Sequence, residues 1–279
     1  MTEPQTAVSR APTAGRRPAM SPVVIGVGVA AGFLAGLFGV GGGLLIVPGL
    51  VLALGMNQRL AHGTSLAAVV PISIASLITY SAHDNVDWPA SLWLAVGAVG
   101  GAVVGTKLLH VLPHRTLGLL FSGVLLVSAI RLFIDVEADG RGDITVGTVV
   151  ALVLVGITAG VLAGLLGVGG GVIMVPAMIL LFGIPPAIAK GTSAAVIIPT
   201  ALMGTWRNRK NGNTDLHAAL VIGVAGVLTA ALGGIVADRM SDTVSNVLFA
   251  TLLTIVAVRL LWQLRHGEEA EPEVSPAPE

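Results

Sequence analysis

Two short polar motifs in an otherwise apolar chain have the residue types needed to bind a small anion. They are Gly63-Thr64-Ser65, preceded by His62, and Gly191-Thr192-Ser193, preceded by Lys190. Serine and threonine hydroxyls donate hydrogen bonds, and the first-turn amides of a following helix add further donors. Because a cationic or protonatable residue precedes each triplet, the motifs predict donor-rich sites suited to an oxyanion such as sulfite or a sulfonate.

Two glycine runs provide a second set of candidate binding groups. Gly41-Gly42-Gly43 and Gly169-Gly170-Gly171 each lie inside a long apolar stretch. Each glycine weakens a helix by about 1 kcal/mol relative to alanine, so both runs predict helix breaks. A helix that begins after such a break presents free amides and the positive end of its dipole to an anion. We expect the two new helix ends to face each other near the membrane midplane.

The motifs occur twice because the chain is internally duplicated. GLFGVGGGLLIVP at residues 36–48 and GLLGVGGGVIMVP at residues 164–176 agree at nine of 13 positions, with an offset of 128 residues. The same offset relates four further pairs, namely Pro71 and Pro199, Asp87 and Asp215, Gly105 and Gly233, and Arg131 and Arg259. In an apolar chain, a two-fold repeat of this kind is typical of membrane transporters.

Composition places the chain in a membrane. Its 279 residues are 54% hydrophobic and only 11% charged, whereas a soluble domain carries roughly 25% charged residues. Residues 18–58 and 144–189 contain no Asp, Glu, Lys or Arg, and these runs far exceed the ~20 residues of a spanning helix. The net charge of zero gives no reason to expect nucleic acid as a partner, and the absence of cysteine excludes disulfides and thiolate metal sites.

From this we expect a multi-pass protein of the cell membrane whose partners are the lipid bilayer and a small anionic substrate. No cofactor, metal ligand or catalytic residue is predicted. The sequence does not determine the oligomeric state, and a homo-oligomer is one of the possibilities.

The apolar segments predict an all-α membrane bundle of two homologous repeats, each with about four to five helical segments and a glycine-broken helix. The first repeat divides into Val23–Val40, Leu44–Leu54, Leu60–Tyr80, Trp88–Leu112 and Thr116–Ile134. The second divides into Thr148–Val168, Val172–Phe182, Ala189–Trp206, Leu216–Ala237 and Thr243–Trp262. The domain boundaries are a disordered cytoplasmic tail at 1–21, repeat one at 22–135, a linker at 136–146, repeat two at 147–265 and a disordered acidic, proline-rich tail at 266–279.

The first apolar run must break, because 41 helical residues would extend about 60 Å, twice the ~30 Å of hydrocarbon. A re-entrant hairpin, or one full and one half helix, fits better than a single crossing. An odd number of crossings per repeat would insert the two copies in opposite orientations. Residues 81–87 lack Lys and Arg while residues 207–215 carry three, and this difference favours inverted over parallel repeats.

Simpler structural roles compete with each of these interpretations. The glycines suit close helix packing, as the small-residue spacing of Gly32 with Gly36, and of Gly97, Gly101 and Gly105, also does. The Gly-Thr-Ser triplets suit plain helix N-caps. Pro71 and Pro199 suit helix kinks, and Asp87 and Asp215 suit loop caps. Arg131 and Arg259 suit side chains that snorkel to the membrane interface.

At the duplicated glycine run ending in Val-Pro, and at the following Gly-Thr-Ser triplet, the chain resembles the sulfite exporter family of the TauE/SafE type. The resemblance covers residues 22–265. It implies transport of small anions across the cytoplasmic membrane, with sulfite, sulfoacetate and related organosulfur compounds as typical substrates. Family descriptions commonly count about eight spanning helices, a count that would favour parallel repeats.

Three classes of function therefore compete. A secondary anion transporter with alternating access is favoured, with a passive anion channel as the nearest alternative. A membrane scaffold or an intramembrane enzyme is the third. An enzyme is disfavoured because His62 and Lys190, the two candidate bases, differ between copies although catalysis needs one assembled site. No carboxylate lies deep in a predicted span, so the coupling ion stays open between a proton on His62, sodium, and none.

Overall fold

The computed structural model describes residues 22–108, 119, 122–123, 125–130 and 142–266, and all regular structure within these residues is helical. Nine helices have defined bounds in the described part: α1 Pro22–Phe38, α2 Gly43–Leu54, α3 Gln58–Ser81, α4 Trp88–Leu108, α5 Val146–Leu166, α6 Gly171–Phe182, α7 Pro186–Lys210, α8 Leu216–Asp238 and α9 Asp242–His266. The predicted all-helical fold is confirmed. Most of the predicted segment Thr116–Ile134, the two tails apart from His266, and residues 136–141 of the linker lie outside the described residues.

Six of these helices are long and apolar enough to cross a membrane, namely α3, α4, α5, α7, α8 and α9. Helices α1, α2 and α6 are shorter, with 17, 12 and 12 residues. Twelve helical residues extend only about 18 Å, well short of a ~30 Å hydrocarbon core. Helices α2 and α6 are therefore half-length elements inside a membrane protein.

Both apolar runs break at the predicted glycines. Helix α1 ends at Phe38 and α2 begins at Gly43, and α5 and α6 flank the equivalent gap. Gly41 and Gly42 have φ angles of 80° and 77°, and Gly169 and Gly170 have 87° and 85°. A side chain strains this left-handed backbone conformation, so consecutive glycines let the chain turn from one helix into the next.

The starts of α3 and α7 correct one prediction. Helix α3 begins at Gln58, where the side chain of its N-cap Asn57 accepts a hydrogen bond of 2.8 Å from Leu60 N. Helix α7 begins at Pro186, which suits a first helical position because its ring fixes φ and it lacks an N–H. Both Gly-Thr-Ser triplets consequently lie in the second turn of a helix. They are not N-caps, and their amides are not the free first-turn donors that the sequence suggested.

Glycine faces join the outer helices into two parallel pairs. A Cβ built at Gly28 of α1 would lie 2.6 Å from Ile222 O of α8, and one built at Gly36 would lie 1.9 Å from Ala230 O. The positions increase together along both helices, so α1 and α8 run in the same direction. Helices α4 and α5 pair in the same way, through Gly97, Gly101 and Gly105 against Val153, Ile157 and Val161. The predicted close packing at these spaced glycines is confirmed.

Helices α3 and α7 form the centre of the bundle. They are buried over 67% and 61% of their most apolar stretches, against 28% for α9, which places α9 at the periphery. They run antiparallel, because Thr64 near the start of α3 bonds to Asp215 beyond the end of α7, and Thr192 near the start of α7 bonds to Asp87 beyond the end of α3.

The two ends of this central pair differ in the helices that reach them. We call the end where α3 begins the His62 end, and the end where α7 begins the Lys190 end. Gly39, after α1, packs on the Lys190 backbone, and Gly167, after α5, packs on the His62 backbone. Helix α1 therefore terminates toward the Lys190 end and α5 toward the His62 end.

Candidate functional site

The two glycine runs cross each other backbone to backbone. A Cβ built at Gly43 would lie 2.6 Å from Gly167 O and 2.6 Å from Val168 Cα. One built at Gly171 would lie 2.7 Å from Gly39 O and 2.7 Å from Val40 Cα. The predicted meeting of the two breaks is therefore present, and it requires glycine because no side chain fits between the two chains.

The crossing lies against the middle of the two central helices. A Cβ at Gly41 would contact Val69 at 3.0 Å and Ile197 at 3.3 Å, and one at Gly169 would contact the same two side chains at 3.5 and 3.2 Å. Val69 and Ile197 lie near the midpoints of α3 and α7, which are both long enough to span a bilayer. The interrupted backbone thus lies at about half the depth of the bundle.

Two helix N-termini point into this crossing without side-chain caps. Gly42 and Gly170 are the N-cap residues of α2 and α6, and neither provides a side-chain hydrogen bond. In α2 the amides of Leu45 and Ile46 both donate to Gly42 O, at 3.0 and 3.2 Å. The amides before these two, those of Gly43 and Leu44, have no acceptor within the helix, and the helix dipole is positive at this end. Each half therefore presents donors suited to a negative group.

The Gly-Thr pairs serve mainly as cross-repeat contacts. Asp215 N donates to Thr64 Oγ1 at 2.9 Å, and Asp87 N donates to Thr192 Oγ1 at 2.9 Å. A Cβ at Gly63 would lie 1.8 Å from Asn213 O, and the same construction at Gly191 gives 2.0 Å to Asn85 O. We call each of these two sets of contacts a clasp, since each holds the loop before α8 or α4 on the central helix of the other repeat.

The clasps lie at opposite ends of α3 and α7, so the structure does not bring the two triplets into one cluster. Asp87 and Asp215, which the clasps hold, also cap helices with their side chains. Asp215 Oδ1 accepts from His217 N and Ala218 N, and Asp87 Oδ1 accepts from Ala90 N, all at 3.0 Å. Their cap role is the one that the structure supports.

In the first copy of the motif, His62 and Ser65 contact the helix break of the second repeat. His62 Nδ1 lies 2.7 Å from Leu165 O, and the Ser65 hydroxyl donates to Gly167 O at 2.8 Å. Both side chains are buried. Because Ser65 donates to Gly167, which follows α5, and not to His62, a nucleophile and base pair is not formed here.

The second copy has different contacts. Lys190 Nζ donates to Ser245 Oγ of α9, and both side chains are buried. Ser193 is fully buried, and its hydroxyl has no hydrogen-bond partner among the described residues. Since Ser193 is the equivalent of Ser65, the break of repeat one lacks the hydroxyl bond that holds the break of repeat two.

One buried hydrogen bond near the site was missed by sequence reasoning. The hydroxyl of Tyr80, the sole tyrosine of the chain, donates to Gly36 O in the last turn of α1 at 2.6 Å. Its equivalent Asn208 donates to Gly204 O of its own helix at 2.9 Å. The sequence signal for this bond was a tyrosine inside an apolar helix, because a buried tyrosine hydroxyl needs a hydrogen-bond partner.

Comparison with known proteins assigns the chain to a protein family. The family model for the sulfite exporter TauE/SafE matches residues 5–132 and 152–278. The Bacillus subtilis (strain 168) protein named "Probable membrane transporter protein YunE" is 24% identical over 86% of this chain and 97% of its own length. A Xylella fastidiosa (strain 9a5c) protein named "Probable membrane transporter protein" is 29% identical over 86% and 95%.

A protein from Methanocaldococcus jannaschii with the printed name "Probable membrane transporter protein MJ0441" is 24% identical over 86% of this chain and 95% of its own. No solved structure matches the chain. The names of the family and of these relatives are those of transporters and of probable membrane transporters, and not those of enzymes. With matches covering most of its length in two halves, this chain belongs to the sulfite exporter TauE/SafE family of membrane transporters.

Proposed function

We propose that this transporter is a secondary carrier of small anions, with sulfite, sulfonates or related organosulfur oxyanions as substrates. The observation that carries the proposal is the meeting of two uncapped helix N-termini at half depth in the bundle. Paired helix ends of this kind neutralise an anion without a buried charged side chain. Irregular backbone at membrane depth is tolerated where it is buried in protein or lines a wet cavity.

The substrate site is built around the glycine crossing. Gly41, Gly42 and Gly43 supply backbone amides from repeat one, and Gly169, Gly170 and Gly171 supply them from repeat two. The hydroxyl of Ser193 is a candidate side-chain donor, because it is buried and lacks a partner among the described residues. Ser65 and His62 hold the second break in position through backbone carbonyls.

The Gly-Thr pairs act at a distance from the bound anion. Gly63 with Thr64, and Gly191 with Thr192, form the two clasps at opposite ends of α3 and α7. Release of one clasp at a time would open the crossing to one end and then to the other. Lys190 fixes α7 to α9 beside one clasp. Alternating access then consists of movement of the repeats around a fixed midplane site.

The distribution of charge supports an orientation for this cycle. Of the nine described lysines and arginines, seven lie toward the His62 end of the bundle, namely Arg59, Lys107, Arg207, Arg209, Lys210, Arg259 and Arg265. Lys190 and Arg239 lie toward the Lys190 end. Since cytoplasmic segments are rich in Lys and Arg, we infer that the His62 end faces the cytoplasm at the cell membrane and that the two repeats are inverted.

Transport in reconstituted vesicles tests the site. Vesicles containing the protein should accumulate radiolabelled sulfite or a sulfonate, and Gly42→Leu and Gly170→Leu should each abolish uptake. Gly100→Leu is the matched control, because a Cβ at Gly100 meets no atom within 4 Å. Ser193→Ala, a milder change, should raise the KM while the protein stays folded. Full transport by all three site variants would refute the glycine crossing as the substrate site.

Counterflow separates a carrier from an anion channel. Unlabelled sulfite trapped inside the vesicles should accelerate the entry of labelled sulfite through a carrier. Equal entry with and without trapped sulfite would instead indicate a passive pore.

A further inference from the structure

We propose that a groove between α1 and α2 binds one anionic phospholipid, with its phosphate on Arg259 and an acyl chain between the two helices. The groove has a volume of 440 Å³ and is lined by apolar residues of α1 and α2, and Arg259 of α9 is the one charged residue among the described residues that line it. Gly26 and Ala30 form its α1 side, and Pro48, Gly49 and Leu52 its α2 side. This lining suits a hydrocarbon chain along most of the groove and an anion at one point.

The Arg259 guanidinium has no counter-ion or hydrogen-bond partner in the part of the chain that the structure describes. It nevertheless lies within the candidate span Thr243–Trp262. An arginine in this setting needs an anion or water, because its charge is costly to leave in hydrocarbon. The lipid phosphate is the anion that every phospholipid bilayer supplies at this depth.

The depth of Arg259 matches a headgroup. Trp262, 61% exposed, follows three residues later on α9, which is about 4.5 Å along the helix. Exposed tryptophans concentrate at the membrane interface, so Arg259 lies about one turn inside that level. The groove also reaches Val23, near the start of α1, and so opens toward the same end of the bundle.

Three small residues of the groove are specific to repeat one. Gly26, Ala30 and Gly49 leave room between α1 and α2, whereas the equivalent positions 128 residues later carry Leu154, Thr158 and Ala177. A Cβ at Gly26 would meet no atom within 4 Å, so this position borders open space. At these three positions repeat one carries the smaller residue, while Arg131 and Arg259 are the same residue in both copies.

The favoured ligand carries net negative charge. Basic sites between membrane helices on the cytoplasmic side bind anionic headgroups, and each Lys or Arg near the surface contributes about 1 kcal/mol. A zwitterionic headgroup offers the same phosphate together with an ammonium group that repels Arg259. Phosphatidylglycerol should therefore bind more tightly than a chain-matched phosphatidylcholine.

Native mass spectrometry of the full-length protein in detergent, titrated with either lipid, tests this site. Wild-type protein should bind one phosphatidylglycerol more tightly than phosphatidylcholine. Arg259→Gln should weaken phosphatidylglycerol binding at least about fivefold and remove the difference between the two lipids. Gly26→Leu, which introduces the residue found at the equivalent position of repeat two, should block both lipids.

Two variants with the same chemical changes outside the groove are the controls. Arg265→Gln removes a charge from α9, and Gly100→Leu fills open space on α4. Neither should change phosphatidylglycerol binding. If Arg259→Gln does not fold, Gly26→Leu tests the groove, and the difference in affinity of the wild-type protein for the two lipids tests the role of headgroup charge.

Equal affinity of wild-type protein for the two lipids would overturn the proposal, because headgroup charge would then play no part. Unchanged phosphatidylglycerol binding by Gly26→Leu would also overturn it. Loss of binding by Gly26→Leu with no effect of Arg259→Gln would show that the groove holds only a hydrocarbon chain, and would overturn the assignment of the phosphate to Arg259.

Discussion

Replacing Ser65 and Ser193 in turn gives a matched test of the hydrogen bond that holds the second break. The two serines occupy equivalent positions and are both fully buried. Ser65 Oγ donates to Gly167 O at 2.8 Å, whereas the Ser193 hydroxyl has no partner in the described residues. Ser65→Ala therefore removes a bond and strips a buried carbonyl of a donor, while Ser193→Ala removes only an unsatisfied hydroxyl.

The expected magnitudes differ accordingly. A hydrogen bond between membrane helices contributes about 0.6 kcal/mol on average and up to about 1.7. Leaving a buried acceptor without a donor adds a desolvation cost of about 1–3 kcal/mol when nothing relaxes. Partial relaxation of the glycine-rich break lowers this cost, so Ser65→Ala should reduce the free energy of unfolding by about 1–2 kcal/mol. Ser193→Ala should change it by less than about 0.5 kcal/mol, or stabilise the protein.

Thermal unfolding of the purified protein in detergent measures this difference. By analogy with soluble domains of 150–250 residues, a change of 1 kcal/mol shifts Tm by about 2–4 °C. Ser65→Ala should therefore unfold several degrees below Ser193→Ala. Equal losses in the two variants would refute the reasoning, since the only described difference between these hydroxyls is the bond to Gly167.

Three further changes have defined outcomes. Gly36→Ala should prevent stable folding, measured by yield of monodisperse protein, because its Cβ would lie 1.9 Å from Ala230 O, whereas Gly100→Ala should be neutral or stabilising. Asp215→Ala removes the side-chain cap of α8 and should lower the free energy of unfolding by about 1 kcal/mol in chemical denaturation. Asn211→Cys in this cysteine-free chain should react with a membrane-impermeant maleimide only from the cytoplasmic side, and labelling from outside would contradict the proposed orientation.

The large features of the fold were predictable from the sequence because they depend on local chemistry and on the duplication. Long apolar runs require helices in a membrane, and a 41-residue run is too long for one crossing. Glycine triplets at equivalent places then fix where the runs break. The same logic identified Gly32, Gly36 and Gly97 as close-packing positions, which the structure confirms.

The roles of the polar triplets were less predictable, for two physical reasons. Helix α3 begins after Asn57, and α7 begins at the pair Pro185-Pro186. Neither signal was recognised as a helix start, so the triplets were predicted in the first turn of these helices, whereas they lie in the second. The partners of Thr64 and Thr192 lie more than a hundred residues away, in the other repeat. Hydrogen-bonding partners at that separation follow from how the helices pack, and local sequence does not encode them.

The crossing of the two glycine runs has a consequence for a protein that contains only one repeat. Gly43 is covered by Gly167 and Val168, and Gly171 by Gly39 and Val40. A precursor with one repeat would have left its own gap open to lipid, where bare amides are costly. Two separate copies would cover each other's amides only by docking with their two breaks in contact. Joining both copies in one chain keeps the breaks together, and Ser65 and Ser193, the same residue in both copies, differ in what they bind.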